Sequence, residues 1–330
     1  MGRSLDRLLD WTLLGYTKWG YRFRGLEDEP VAGSLDGCNA VVTGATSGLG
    51  HATALGLAGL GARVVLVGRS EERAEATRQA IRRRHPHARV DVELADVSLM
   101  REVRDLAERI EGRIGPVHRL VHNAGVLLDE REETDEGIER TLATNLVGPF
   151  LLTRLLLPAM RAAPAARIVF VSSGGMHAEP LRPDDLDFTE EPFDGVRAYA
   201  RTKRGQVVLA EMLAEELRDQ RIAVHAMHPG WADTPGVESS LPRFHKLTRG
   251  WLRSPEEGAD TIIWLCAAEE PGRCTGLFWH DRRPRPTHRF RQKPASAEER
   301  RHFWEALAQR AGCHGHELDK RGQGQLSAGQ

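Results

Sequence analysis

The chain is poor in what a disulfide scaffold, a nucleic-acid binder or a membrane span requires. Its four cysteines, Cys38, Cys266, Cys274 and Cys313, lie far apart with no CxxC pair. That spacing suits a reducing compartment and gives neither a disulfide framework nor a zinc site. His314 and His316 stand in a polar tail without a third ligand, so no metal is expected. The formal net charge is −1, which leaves no basic footprint for nucleic acid. No apolar run is long enough to read as a membrane span. Lysine and tyrosine are scarce as well. Of 46 basic residues only five are lysine, and Tyr16, Tyr21 and Tyr199 are the only tyrosines. One of each falls in the stretch YARTK, Tyr199 to Lys203.

What is present is regular. From Cys38 onward, short apolar runs alternate with longer amphipathic stretches, the signature of βαβ units and a parallel sheet. The runs at 39–44, 62–68, 89–94, 118–123, 166–173, 221–228 and 275–280 predict seven strands. Helices are expected over Glu71 to Arg84, Leu99 to Glu111, Thr134 to Met160 and Val196 to Arg218. Strands buried on both faces need helices on both faces, so the fold class is α/β, with a doubly wound parallel sheet. The loops Gly174 to Asp194 and Trp231 to Ser254 follow the fifth and sixth strands. They fall where open α/β sheets bind ligands, outside the carboxyl ends of the strands.

With 330 residues and 40% hydrophobic content, one domain with extensions is the expected organisation: 1–37, 38–281 and 282–330. The first 25 residues space Leu5, Leu8, Leu9, Leu13 and Tyr16 near helical periodicity. Asp6, Asp10 and the lack of a small-residue cleavage site argue against a signal peptide. Two readings stay open for this segment. It packs on the domain, or it lies in a membrane interface with Trp11, Trp19 and Tyr21. A cytoplasmic protein is expected, with membrane association through this N-terminus as the variant. Near the other end, Ala297 to Ala311 reads as one short helix before a polar tail.

The first strand runs into TGATSGLG, Thr43 to Gly50, and then into a helix. Gly44 permits the tight turn, while Gly48 and Gly50 let backbone approach a pyrophosphate at the positive helix terminus. Thr46, Ser47 and Leu49 complete this phosphate loop. At the end of the second strand stands Gly68-Arg69, where a carboxylate would favour NAD(H). The planar guanidinium of Arg69 suits a 2′-phosphate, so NADP(H) is the preferred cofactor, with NAD(H) the alternative.

Residues i and i+4 share a helix face, so Tyr199 and Lys203 can enter one site. A free phenol, with a pKa of about 10, is a poor base at neutral pH, and a nearby ammonium is expected to favour the phenolate. Arginine would bring charge but not the compact geometry of an ammonium.

Together TGATSGLG, ADVS (95–98), HNAG (122–125), TNLVG (144–148), VSS (171–173), YARTK and HPG (228–230) resemble, in order, the motifs of the short-chain dehydrogenase/reductase family. The resemblance spans about Cys38 to His280 and implies a Rossmann-type fold. It also implies a catalytic set of Asn145, Ser173, Tyr199 and Lys203. Tyr199 would be the general acid/base and Ser173 would hydrogen-bond the substrate oxygen. Lys203 would hold the nicotinamide ribose and bias the tyrosine, and Asn145 would hold a proton-relay water. Asp96 and Val97 would contact adenine, and Asn123, Ala124 and Gly125 would line the cofactor channel. Pro229, Gly230 and Thr234 would face the nicotinamide carboxamide. His122 replaces the family's usual asparagine before NAG, which puts one structural hydrogen bond in question. The separation of Ser173 from Tyr199 is similar to that of retinol-dehydrogenase-like members acting on apolar carbonyls. A narrower resemblance, through SSGGMH, HPGWADTPGV and DRRPRPTH, is to a poorly characterised vertebrate subgroup of the family.

The expected activity is therefore interconversion of an alcohol and a ketone or aldehyde on an apolar small molecule. Trp231, Val237, Leu241, Phe244, Leu247 and Trp251 are the apolar residues of the loop nearest such a substrate. Against it stand an NADP(H)-binding sensor without turnover, and a nucleotide-sugar enzyme of the extended branch. The latter disagrees with the TGxxxGxG spacing of Thr43 to Gly50. Family habit implies a homo-oligomer formed through the long fourth and fifth helices, whereas a membrane-proximal N-terminus would favour a monomer.

Overall fold

The computed structural model describes residues 13–24, 26, 33–234, 236, 242–289 and 292–313. In chain order the elements are α1 (Lys18–Arg24), β1 (Asn39–Thr43), α2 (Gly48–Gly59), β2 (Arg63–Gly68), α3 (Glu71–Arg84), β3 (Val90–Leu94), α4 (Met100–Arg113) and β4 (Arg119–His122). A long helix, α5 (Arg140–Arg161), follows and contains a π-helical turn at Ala143–Val147. Then come β5 (Ala166–Val171), α6 (Gly195–Glu216), β6 (Ile222–Met227), α7 (Pro242–Thr248), α8 (Pro255–Ala267), β7 (Leu277–His280), β8 (Arg283–Arg285) and α9 (Ala297–Arg310).

Strands β4, β5 and β6 are buried at every position, as parallel strands covered on both faces must be. The sheet order is β3-β2-β1-β4-β5-β6-β7-β8. Chain direction of winding reverses between β1 and β4, which opens the ligand crevice of a doubly wound sheet. One core, with Leu106, Phe150, Leu209 and Phe303, lies on the face covered by α4, α5, α6 and α9. The other, with Leu57, Leu66, Ile262 and Trp279, lies under α2 and α8. By length and composition α5 is apolar enough to cross a membrane, but most of it is buried inside the fold. It is a core helix.

The predicted count of seven parallel strands is corrected to eight, of which the last is antiparallel to β7. The chain reverses through Asp281 and Arg282, both left-handed at φ 50° and 55°. Tight hairpin turns usually place Gly or Asn at such positions. Here contacts made by the two side chains hold the turn. Arg282 pairs with Asp260, and Asp281 is enclosed by Arg24 and Arg253.

The N-terminal segment, as far as it is described, packs on the domain. Tyr16, Thr17 and Arg24 are buried. Leu14, Trp19 and Phe23 remain exposed, near the similarly exposed Trp251, whose carbonyl accepts from the Lys18 amide at 2.9 Å. Leu5, Leu8, Leu9 and Trp11, the histidines of the tail, and Val237 and Leu241 lie outside the described residues.

Candidate active site

The residues singled out in the sequence gather along the carboxyl ends of β1 to β6. At the β1–α2 junction Gly44 has φ 64°, and an ideal Cβ there would lie 2.9 Å from the Ala124 Cα. A Cβ on Gly50 would lie 2.5 Å from Asn123 Nδ2 and closer still to the Gly44 carbonyl oxygen. Only glycine fits either place. Asn123 braces the turn by donating from Nδ2 to the Thr43 and Gly44 carbonyls at 3.0 and 3.2 Å. Thr43 Oγ1 accepts from the Asn123 and Ala124 amides, both at 3.1 Å, and so joins β1 to the loop after β4.

Ser47 is the N-cap of α2, but its side chain makes no capping hydrogen bond, and the first turn holds no acidic residue. An uncapped helix start behind a glycine cradle suits an anionic phosphate. The residues present therefore fit a dinucleotide. Arg69 follows β2 directly and is 66% exposed, 3.6 Å from Asp96. Asp96 also accepts from the Ser98 amide and hydroxyl at 2.9 and 2.7 Å. Burial raises its pKa, but the Ser98 hydrogen bonds and Arg69 outweigh it and hold the carboxyl below its ordinary value. Val97 packs into the core, where its carbonyl meets Gly148.

Two adjacent serines end β5 and turn in opposite directions. Ser172 is buried and donates to the Lys203 carbonyl of α6 at 2.8 Å. Ser173 faces the cleft, caps the turn after it by accepting from the Gly175 amide at 3.1 Å, and shares a hydrogen bond with the Tyr199 hydroxyl. Lys203 lies beneath, with Nζ 5.3 Å from the Tyr199 ring centre. It donates to the Val171 carbonyl at 2.9 Å and to Gln206 Oε1 at 3.3 Å.

The expectation that the ammonium lowers the phenol is not met in this structure. Burial pushes the Tyr199 phenol up to about 12, against only partial relief from Ser173. Burial also lowers Lys203 to about 7, because desolvation disfavours its charged form.

Asn145 is fully buried in the π-turn of α5. Its Oδ1 accepts from the Val126 amide at 2.8 Å, and its Nδ2 donates to the Val126 carbonyl and to Thr202 Oγ1, both at 3.0 Å. Gln206, which the sequence reading missed, donates to the Asn145 carbonyl at 2.6 Å. Its position one turn beyond Lys203 was the available signal. His122, which stands in place of the family's usual asparagine, is hydrogen-bonded through one ring nitrogen. Its Nε2 pairs with Thr153 Oγ1 at 2.7 Å, and burial lowers its pKa to about 3.

Pro229 and Gly230 follow β6, and Thr234 lies beyond them. Two residues unforeseen from the sequence hold this loop. Arg253, 1% exposed, donates to the Pro229 carbonyl at 3.2 Å, to the Gly15 carbonyl at 2.8 Å and to Asp281 at 2.5 and 3.0 Å. Tyr16 stacks tilted on His228, with ring centres 4.9 Å apart, and its carbonyl accepts from the Trp231 amide at 2.8 Å.

A parallel doubly wound sheet, a glycine cradle before an uncapped helix, and a hydroxyl pair above a buried lysine are thus assembled on one edge. Residues 38–243 match the family model described as short chain dehydrogenase, and the chain belongs to that family of oxidoreductases, which bind NAD(P) and act on CH–OH groups. Among its relatives is the human dehydrogenase/reductase SDR family member 12, 37% identical over 93% of this chain and 99% of that one. Mouse polyprenol dehydrogenase is 36% identical over 79% of this chain and 80% of its own. Among solved structures, L-sorbose reductase from Gluconobacter frateurii, in complex with NADPH and L-sorbose, aligns with a TM-score of 0.62. It has 25% identity, over 74% of this chain and 95% of that one.

Proposed function

We propose that the protein is an NADP(H)-preferring dehydrogenase/reductase that interconverts an alcohol and a ketone or aldehyde on an apolar small molecule. The observation that carries this reading is the Tyr199–Ser173 hydroxyl pair, facing the cleft above Lys203. In the reductive direction Ser173 and Tyr199 together orient the carbonyl oxygen, and the Tyr199 phenol gives it a proton. NADPH would be held by the Thr43 to Gly50 loop, Arg69 and the Asn123 to Gly125 strand end, and would supply the hydride to the carbonyl carbon. Lys203 braces the tyrosine from below and offers its ammonium to a ribose hydroxyl. Asn145, through Val126 and Thr202, fixes the π-turn against α6 and the loop after β4. The exposed guanidinium of Arg69 supports a 2′-phosphate.

The apolar substrate class is supported by the aromatic residues at the cleft, and by the relative named as a polyprenol dehydrogenase. The exposed Leu14, Trp19, Phe23 and Trp251 support peripheral contact of a cytoplasmic protein with a membrane. The test is NADPH oxidation by the purified protein over a panel of retinoid, steroid, quinone and medium-chain carbonyls, with Tyr199→Phe beside it. Turnover in the native chain that falls by at least about a hundredfold in the variant is expected. NADPH binding without turnover of any carbonyl would favour a sensor instead.

A further inference from the structure

Tyr16 stands far from the family's motifs in sequence, yet it bridges the two loops that flank the proposed substrate position. On one side, an ideal Cβ on Gly174, next to Ser173, would lie 3.3 Å from Tyr16 Cε1 and 3.6 Å from Cζ. Because Gly174 has no side chain, the edge of the phenol ring forms the boundary there. On the other side Tyr16 lies against the HPG turn, tilted on His228 and stacked with Trp231 at 6.0 Å and 22°. Its hydroxyl is bound by Arg289, from the segment after β8. Chain from both ends of the molecule therefore meets beside Ser173.

This arrangement is fixed from behind. Arg253 reaches the Gly15 and Thr17 carbonyls on either side of Tyr16 at 2.8 and 3.3 Å, and His280 Nε2 lies 3.1 Å from the Gly15 carbonyl. Tyr16 itself is 7% exposed, while Ser173, Gly174, Tyr199 and Trp231 are each half-buried along the cleft. A rigid aromatic edge beside the reacting oxygen contacts a flat, unsaturated body better than a flexible saturated chain, because ring faces and edges attract in offset or edge-on geometry.

We propose that Tyr16 forms, with Trp231, an aromatic wall of the substrate site, and that this wall selects carbonyls borne on flat aryl or conjugated bodies. The inference rests on the reductase reading and specifies its substrate class. It makes the N-terminal segment part of the active site.

The experiment compares 2-naphthaldehyde with decanal in the full-length chain, with Tyr16→Leu and Tyr16→Phe. NADPH binding is followed by fluorescence alongside. In Tyr16→Leu, KM for 2-naphthaldehyde should rise about fivefold relative to KM for decanal, both measured at saturating NADPH. Tyr16→Phe, which keeps the ring, should restore the native KM. An equal loss for both aldehydes or an unchanged ratio of KM values would make Tyr16 a structural residue and overturn the proposal. So would a native enzyme that reduces other carbonyls but not 2-naphthaldehyde. A native chain that binds NADPH and reduces no carbonyl would overturn the reductase reading as well, which separates the two failures.

Discussion

At the scale of single residues, Tyr199 and Lys203 set the expected response to pH. With its phenol up at about 12, Tyr199 is protonated across the neutral range, ready to donate a proton but seldom present as phenolate. Between about pH 6 and pH 9, kcat/KM for carbonyl reduction should be insensitive to this group, whereas kcat/KM for alcohol oxidation should climb about tenfold per unit. An oxidation profile with no slope would assign the base to another group. Lys203 has a folded value of about 7, below its ordinary value of 10.5. Its contribution to stability is thus complete above that ordinary value and is lost as pH falls through about 7. Arg69 carries a separate expectation. Arg69→Asp should raise the NADPH Kd by about a hundredfold and the NADH Kd by less than about threefold, measured by fluorescence titration. Equal losses would remove the 2′-phosphate assignment.

The residue scale is also where the sequence is most readable. Tyr199, Lys203 and the glycine loop are recognisable because each chemistry needs one residue type at a fixed local spacing. The choice of Ser173 over Ser172 is different in kind. It depends on which hydroxyl the strand end turns toward α6, and only the bond from Ser172 to the Lys203 carbonyl makes that visible.

Elements show the same division. Helix α3 has the bounds its pattern predicts, because Ser70 caps it, Glu71 and Glu72 open it and Arg82 to Arg84 close it, all favourable to the helix dipole. Helix α5 starts at Arg140 rather than Thr134, because the Glu139 carboxylate accepts from the Thr141 and Leu142 amides at 2.8 and 2.6 Å. Glutamate is not a usual cap, so the start is hidden in the sequence. Strand β8 is hidden for a stronger reason. Its turn has neither Gly nor Asn, and the strand contains Pro284, which reads as a breaker.

What holds that turn is a buried ion cluster. Burial raises the Asp281 pKa, yet Arg253 and Arg24 outweigh it and keep the carboxyl below its ordinary value. Asp281→Ala should cost about 3–5 kcal/mol in urea denaturation, because the buried guanidinium of Arg253 would lose the carboxylate it pairs with. A loss below about 1 kcal/mol would show that the cluster is not holding the turn. The sign with pH follows: the stability that Asp281 adds is present above the ordinary carboxylate value and is lost as pH falls through its depressed one.

For the molecule as a whole, α9 decides most. Phe303 is fully buried, and a Cβ on Gly205 of α6 would lie 3.3 Å from its ring. Trp304 meets Phe150 edge-on at 5.1 Å, and Arg154 lies over the same indole at 5.4 Å. Arg300 pairs with Glu215 at 2.8 Å, and Arg310 pairs with Asp187. These contacts cover α5 and α6, the long fourth and fifth helices through which a homo-oligomer was expected. No local pattern announces that docking, since these partners of α9 lie 85 or more residues earlier in the chain. We propose that the tail helix takes the place of a twin subunit on these two helices. One chain per particle, near 36.7 kDa by light scattering, is therefore the expected stoichiometry. A chain ending before Ala297 should self-associate through the uncovered Phe150. If the chain supplies its own neighbour in this way, its specific activity should not change on dilution.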